Sequence, residues 1–207
     1  MENVLDIYEQ PYDEHRPVVC FDERPCQLLG DVFAPIAMKP GRIQRQDYHY
    51  RRGGTCVVFT AVEPLSGHRI IKVSQRRTKK DYAGFMRTVA KHYRNAKEII
   101  LVQDNLNTHN PSSFYEAYEA EAAFALSRRF KMIYTPKKAS WLNMAEIELS
   151  ALSKQCLDRR IGDERRLREE VLAWARERNE AKIKIRWQFT KTKAREKLKR
   201  SYGTIKN

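Results

Sequence analysis

Two apolar runs in the chain end on acidic residues. Val18-Val19-Cys20-Phe21 leads into Asp22-Glu23, and Ile99-Ile100-Leu101-Val102 leads into Gln103-Asp104-Asn105. A second acidic pair, Glu146 and Glu148, lies in a stretch with helical spacing. Taken singly, each has a plain structural reading: acidic residues after strands serve as turn and cap residues, and helix carboxylates form solvated faces. The combination is different. If the two strands pair in parallel, Asp22 and Asp104 emerge at the same sheet edge, where ligands collect in open sheets. Neighbouring carboxylates repel and stay ionised only with positive charge between them. A hard divalent cation supplies it: Mg2+ prefers oxygen ligands, keeps waters, and takes one or two carboxylates with phosphate oxygens. Two such ions about 4 Å apart activate a nucleophile and stabilise the leaving oxygen of a phosphodiester.

The elements that would position these residues follow from periodicity and punctuation. Residues 1–16 are polar and read as a lead-in segment. Residues 17–23 read as a short buried strand, and 24–54, with Pro25, Pro35, Lys39-Pro40-Gly41 and Gly53-Gly54, as a long connection with room for one short strand. Residues 55–62 and 68–74 form a hairpin about the turn at 63–67. Thr78 through Asp81 starts a helix carrying Tyr82, Phe85, Met86, Val89, Ala90 and Tyr93 at helical spacing. A strand at 98–104, a helix from Asn110 to Ala125, a strand at 130–136 and a helix at 140–157 follow. The last of these has Leu142, Ala145, Leu149, Leu152 and Cys156 in one stripe. The expected architecture is α/β: a ribonuclease H-like mixed sheet with helices on both faces. The expected organisation is a lead-in (1–16), a catalytic domain (17–160) and a basic helical C-terminal extension (161–207).

Charge points to the partner. The 207 residues carry 40 Lys+Arg against 26 Asp+Glu, a formal net charge of +14 and a pI near 9.7. From Asp158 onward 17 Lys+Arg face 8 Asp+Glu, which is +9 of that total. Such a balance favours a polyanionic partner, most often nucleic acid, and the tail should add non-specific DNA affinity. Arg42, Arg45, Arg51, Arg52, Lys137 and Lys138 are candidate phosphate contacts, although each alone reads as solvated surface. Cys20, Cys26, Cys56 and Cys156 form no CxxC pair and do not cluster with the five histidines, which argues against structural zinc and a disulfide framework. No signal peptide or membrane-spanning run is present, so a cytoplasmic protein is expected, bound to the bacterial nucleoid when on DNA, with no membrane or small-molecule partner.

The segments at 18–23 (VVCFDE), 101–118 (LVQDNLNTHNPSSFYEAY) and 134–161 (YTPKKASWLNMAEIELSALSKQCLDRRI) resemble the three blocks of DDE transposases in the bacterial insertion-sequence branch of the mariner superfamily. The resemblance covers nearly the whole chain. It implies a metal-dependent catalytic domain that cuts and joins DNA with Mg2+ or Mn2+, two ions at a time, as a homodimer on transposon ends and target. By motif, Asp22 and Asp104 match the two aspartates and Glu146 matches the glutamate, three positions after Asn143. Asn105, Asn143 and His109 would support them. Relatives of full length carry helix-turn-helix modules ahead of this core, so the chain resembles the downstream part of such a protein. A catalytically idle DNA-binding remnant is the competing reading. A ribonuclease H-like nuclease with another role is a third, disfavoured by the Trp141-Leu142-Asn143 block.

Periodicity does not choose between Glu146 and Glu148, which flank the apolar stripe on either side. The motif chooses Glu146. Three residues apart on a helix, Asn143 could orient the Glu146 carboxylate or its water. Glu148 is expected to point away, toward the basic tail, and to tolerate Gln with most cleavage retained.

Overall fold

The computed structural model describes residues 1–137 and 139–199. Five strands form one sheet in the order β3-β2-β1-β4-β5: β1 (Val18–Asp31), β2 (Tyr50–Glu63), β3 (His68–Ser74), β4 (Ile99–Gln103) and β5 (Phe130–Tyr134). β1, β2 and β3 run antiparallel, while β1–β4 and β4–β5 are parallel. Alternation along each strand separates two cores. Val19, Phe21, Val57, Phe59, Ala61, Ile99 and Leu101 face α2 (Lys79–His92), α3 (Ser112–Ala117) and α4 (Ala120–Ser127). Cys20, Val62, Ile100 and Val102 face the other way, toward α1 (Glu2–Tyr8) and the start of α5 (Ala145–Gln155). Cys26, Leu28, Cys56, Val58 and Val73 pack on α5 and α6 (Glu164–Glu180). The mixed sheet with helices on both faces is the expected one.

Several elements differ from the sequence reading. The lead-in holds a helix, α1, whose Val4, Leu5 and Ile7 are buried. β1 does not stop at residue 23 but continues to Asp31 against β2. Pro25 is tolerated there because β4 pairs with β1 only as far as Cys20, so the strand has a free edge beyond that point. β1 and β2 thereby form a long ribbon whose tip, residues 32–49, carries only the isolated bridges Ile36–Arg45 and Lys39–Arg42. Gly53 is obligatory near its base: a Cβ would lie 2.4 Å from the carbonyl oxygen of Gly162. The single helix expected from Asn110 to Ala125 breaks at Tyr118, which is extended, into α3 and α4. The helix expected at 140–157 begins instead as a 3-10 turn, Ser140–Leu142, and α5 proper starts at Ala145 after an extended Asn143.

Thr78 caps α2 in a reciprocal box with Asp81, and Asp163 caps α6 through the Arg166 amide. α6 buries Leu167, Val171, Trp174 and Ala175, an i, i+4, i+7, i+8 stripe. As far as Lys199 the basic tail is packed rather than splayed. Ile185 is buried and its amide donates to the Pro64 carbonyl at 3.0 Å. The Trp187 ring stands edge-on to Tyr8 at 5.3 Å. α7 (Lys191–Lys197) lies on α1, with Ala194 buried and ion pairs from Arg195 to Glu2 and from Lys191 to Asp6. Deleting residues 182–207 should therefore uncover α1 and cost on the order of 3 kcal/mol or more, seen as an early melt. The same deletion cannot serve as a clean measure of the tail's DNA affinity.

Candidate active site

The last parallel pairing of β1 with β4 joins Cys20 to Val102. Two residues further on each strand stand Asp22 and Asp104, so the register brings them level where β4 ends. Asp22 is therefore mid-strand in β1, not at a strand end. Its Oδ1 accepts the Glu23 amide at 2.7 Å. Burial pushes its carboxyl up to about 7, and the negative charges of Glu146, Asp104 and Glu23 add to the rise. Asp104, just past β4, is more exposed. Its Oδ1 lies 2.5 Å from His109 Nδ1 and accepts the Leu106 amide at 3.2 Å. The hydrogen bond from His109 holds this carboxyl below the ordinary range, against the effect of burial.

Glu146, in the first turn of α5, is exposed and shares an open groove with Asp22, Arg24, Ser150, Ser153 and Lys154. Glu148 turns the opposite way into the protein. It is 1% exposed, with Oε1 2.6 Å from Arg69 Nε and hydrogen bonds from Arg178 Nε and Nη2 at 2.8 and 3.1 Å. Its partner in the C-terminal part is thus Arg178 of α6, together with an arginine of β3. A carboxylate so placed holds the fold together, so Gln at 148 is expected to cost stability, while the expectation that cleavage is retained applies to the folded molecules.

The supporting residues have distinct contacts. Asn143 is buried; its Nδ2 donates to the Phe21 carbonyl at 2.7 Å and its Oδ1 accepts the Ala145 amide at 3.2 Å. It pins the start of α5 to β1 one residue before Asp22, and thus sets where Glu146 begins rather than touching its carboxylate. Asn105 Nδ2 donates to the Thr135 carbonyl at 2.8 Å, tying the ends of β4 and β5. His109, for which a surface or helix-entry position is the ordinary reading, is 1% exposed. Its Nε2 lies 2.7 Å from Glu23 Oε2, a partner that the sequence alone does not single out although it adjoins Asp22. Burial alone would pull the imidazole down; the hydrogen bonds to Asp104 and Glu23 outweigh it and hold His109 at about 9. A group raised in this way stabilises the fold fully below its unfolded value, and that stability is lost as pH climbs to the folded one. Melts in chelator should therefore fall between about pH 6.5 and pH 9, and His109→Gln should lose most of that fall, keeping only the share due to Asp22 near pH 7.

Among the basic candidates, Arg42 and Arg45 are exposed in the ribbon tip, and Arg51 and Arg52 are exposed at the start of β2. Lys137 is exposed beside Asp104, Asn105 and Ser140. Lys138 lies outside the described residues. Arg24 and Lys154 in the groove, and Arg77, 3.7 Å from Glu23 Oε1, carry no signal in the sequence that sets them apart from other surface cations. Among the described residues no three His, Cys, Asp or Glu side chains are drawn together closely enough to hold an ion unaided, and no helix is long and apolar enough to cross a membrane.

Residues 17–168 match the family model of the DDE superfamily endonucleases, over more than half of the chain. The chain belongs to that family. Solved structures similar to this chain include the Mos1 mariner paired-end complex with Mn, at 13% identity and a TM-score of 0.57, with 88% of this chain and 56% of that one covered. The Mos1 paired-end complex with the left transposon end gives 14%, 0.56, 88% and 56%. The Mos1 strand transfer complex gives 13%, 0.55, 88% and 59%. At such identity the likeness concerns the fold, which is ribonuclease H-like. The chain spans somewhat over half the length of these proteins. Comparison with curated proteins gives no match.

Proposed function

We propose that the chain is the catalytic part of a transposase, a divalent-metal-dependent enzyme that cuts DNA strands and joins them to a target, with Asp22, Asp104 and Glu146 as the catalytic carboxylates. The observation that carries this is the geometry: the Cys20–Val102 pairing brings Asp22 and Asp104 level, and Glu146 lines the same groove as Asp22. Asp22 is pushed up to about 7 by burial and by the charges of Glu146 and Asp104, from three separate elements of the fold. A cation at that spot would relieve the repulsion. The donor set is all oxygen and the groove is open, which fits Mg2+ or Mn2+. These ions need only one or two carboxylates and complete their shell with water and substrate phosphate, so a closed protein cage is not required.

When bound, a pair of such ions supplies an activated nucleophile and stabilises the leaving oxygen of the phosphodiester. The rest falls to the chain itself. Asn143 and the β1–β4 register fix where the three carboxylates start. Arg24 and Lys154 line the groove, where their charge suits phosphate oxygens, and Lys137 stands on the Asp104 side. The exposed Arg42, Arg45, Arg51 and Arg52 of the ribbon suit further phosphate contacts. The DNA would be transposon ends and target, held by a homodimer, as the paired-end complexes of Mos1 suggest. The test is strand cleavage of supercoiled plasmid and of a labelled end duplex with Mg2+. Wild type should nick and Asp104→Asn should not. If the wild type stays inert with Mg2+ and Mn2+ on every duplex while still binding DNA, the chain is an idle DNA-binding remnant.

A further inference from the structure

Asp22 and Glu23 are neighbours on β1, and the pleat sends them to opposite faces of the sheet. Asp22 goes to the Glu146 groove. Glu23 goes into the α2 layer, where its side chain is 4% exposed. There its Oε2 meets His109 Nε2 at 2.7 Å, and the other imidazole nitrogen meets Asp104 Oδ1 at 2.5 Å. The ring is held on all sides. It stands edge-on to Phe21 at 5.0 Å and stacks on Tyr82 at 5.1 Å. The His109 carbonyl accepts from Gln103 Nε2 and from the Tyr134 hydroxyl, both at 2.9 Å, and Gln103 is in turn fixed by the Tyr82 hydroxyl at 2.8 Å. Such an imidazole has no room to turn. Both hydrogen bonds to Asp104 fall on Oδ1, which leaves Oδ2 for a further ligand.

We propose that Glu23 and His109 are positioning residues: a buried carboxylate on β1 aims the imidazole, and the imidazole fixes the Asp104 carboxylate with Oδ2 presented to the metal. The inference rests on the metal-site reading above. It adds that one dipeptide serves the site twice, Asp22 directly and Glu23 through the layer behind it. A carboxylate–imidazole pair orienting a ligand in this way ordinarily tunes affinity by about 10- to 100-fold when broken.

Two measurements separate the positioning claim from the reading it rests on. The first is metal-free: NMR of the His109 ring nitrogens and the Asp104 carboxyl carbon in wild type and Glu23→Met, a substitution that fills the volume without accepting a hydrogen bond. The change at Glu23 should move the Nδ1 and Asp104 signals as well as Nε2. Signals at Asp104 that stay put in folded Glu23→Met overturn the proposal, whatever the metal does. If Glu23→Met does not fold, Glu23→Ala takes its place. The second measurement is Mn2+ affinity by EPR titration. Glu23→Met should bind about 10- to 100-fold more weakly than wild type, and Glu23→Gln, whose amide oxygen still accepts from Nε2, should recover most of the loss. Equal affinity of wild type and folded Glu23→Met overturns the proposal. Equal affinity of wild type and Asp104→Asn instead overturns the metal-site reading, and the NMR shifts alone then decide whether Glu23 and Asp104 are coupled through His109.

Discussion

Asp22→Asn should abolish strand cleavage and, in chelator above neutral pH, make the protein more stable than wild type. Both effects come from one charge. The Asp22 carboxyl is held at about 7 by burial and by neighbouring carboxylates. Between the ordinary carboxylate range and that value the folded state binds a proton that the unfolded chain releases. Stability therefore falls as pH rises from about 4 to about 7 and stays reduced above it, by a few kcal/mol at most at about 1.4 kcal/mol per unit. The amide keeps the shape and the acceptor for the Glu23 amide but cannot ionise, so that part of the pH dependence disappears. It is also a poor ligand for a hard cation, and cleavage should fall about a thousandfold or more, ~4 kcal/mol in the barrier. Plasmid nicking with Mg2+ and melts in EDTA at pH 5 and pH 8 check the two halves. An Asp22→Asn protein that nicks at the wild-type rate would remove Asp22 from the catalytic set. One that is inactive and also less stable at pH 8 would make the carboxylate a structural group.

Glu146→Gln and Glu148→Gln should fail in opposite ways. Glu146 lines the open groove and is exposed, with no side-chain hydrogen bond or ion pair among the described residues, so its amide should leave the melt within about 0.5 kcal/mol of wild type while cleavage falls by orders of magnitude. Glu148 sits between the guanidinium groups of Arg69 and Arg178, and Arg69 is itself fully buried. Arg69 also donates to the Gly67 and Ile183 carbonyls at 3.0 and 2.7 Å, so the cluster knits β3, α5, α6 and the chain after α6 together. Neutralising the one carboxylate leaves two cations facing each other with no counter-charge, which costs about 3–5 kcal/mol for a buried pair. For a chain of this size that is a drop on the order of 10 °C. Cleavage per folded molecule at low temperature should survive in Glu148→Gln and not in Glu146→Gln. The reverse pattern would shift the third carboxylate from Glu146 to Glu148.

The parts of this fold legible in the sequence are those where period and punctuation agree. β3, α2 with its Thr78 cap, and β4 fall where alternation, a capping box and a short apolar run put them, and the burial of Leu142, Ala145, Leu149, Leu152 and Cys156 follows their stripe. The rest depends on pairing across distance. β1 reads as short because its second half is polar and contains Pro25, and only the lack of a β4 neighbour there makes the proline harmless. α1 reads as a lead-in because its single buried stripe is too brief to stand out from acidic surroundings; it is held by the sheet core and by α7 and Trp187, the last two more than 170 residues away. At the site, the two aspartates and the helix glutamates are visible as types, and the choice of Glu146 comes from the Leu142-Asn143 spacing of the resemblance, not from helical period. Glu23 and Arg69 are invisible as functional or structural partners, since nothing local distinguishes a carboxylate that meets a buried histidine 86 residues on.

The strand pairing also sets when the site can exist during synthesis. β1 finds β2 early, but Asp22 acquires Asp104 only after β4 inserts beside it some 80 residues later, and Glu146 comes with α5. The arginine that balances the buried Glu148 beside it, Arg178, arrives later still. Parallel closure over so long a span is slow compared with hairpin formation, and domains settle as units once their chain is available. A ribosome-bound fragment ending before α6 would therefore hold the sheet with α5, and Glu146 on it, not yet fixed. On the proposed function, a chain cut short in translation would keep the exposed arginines of the ribbon without an assembled set of three carboxylates.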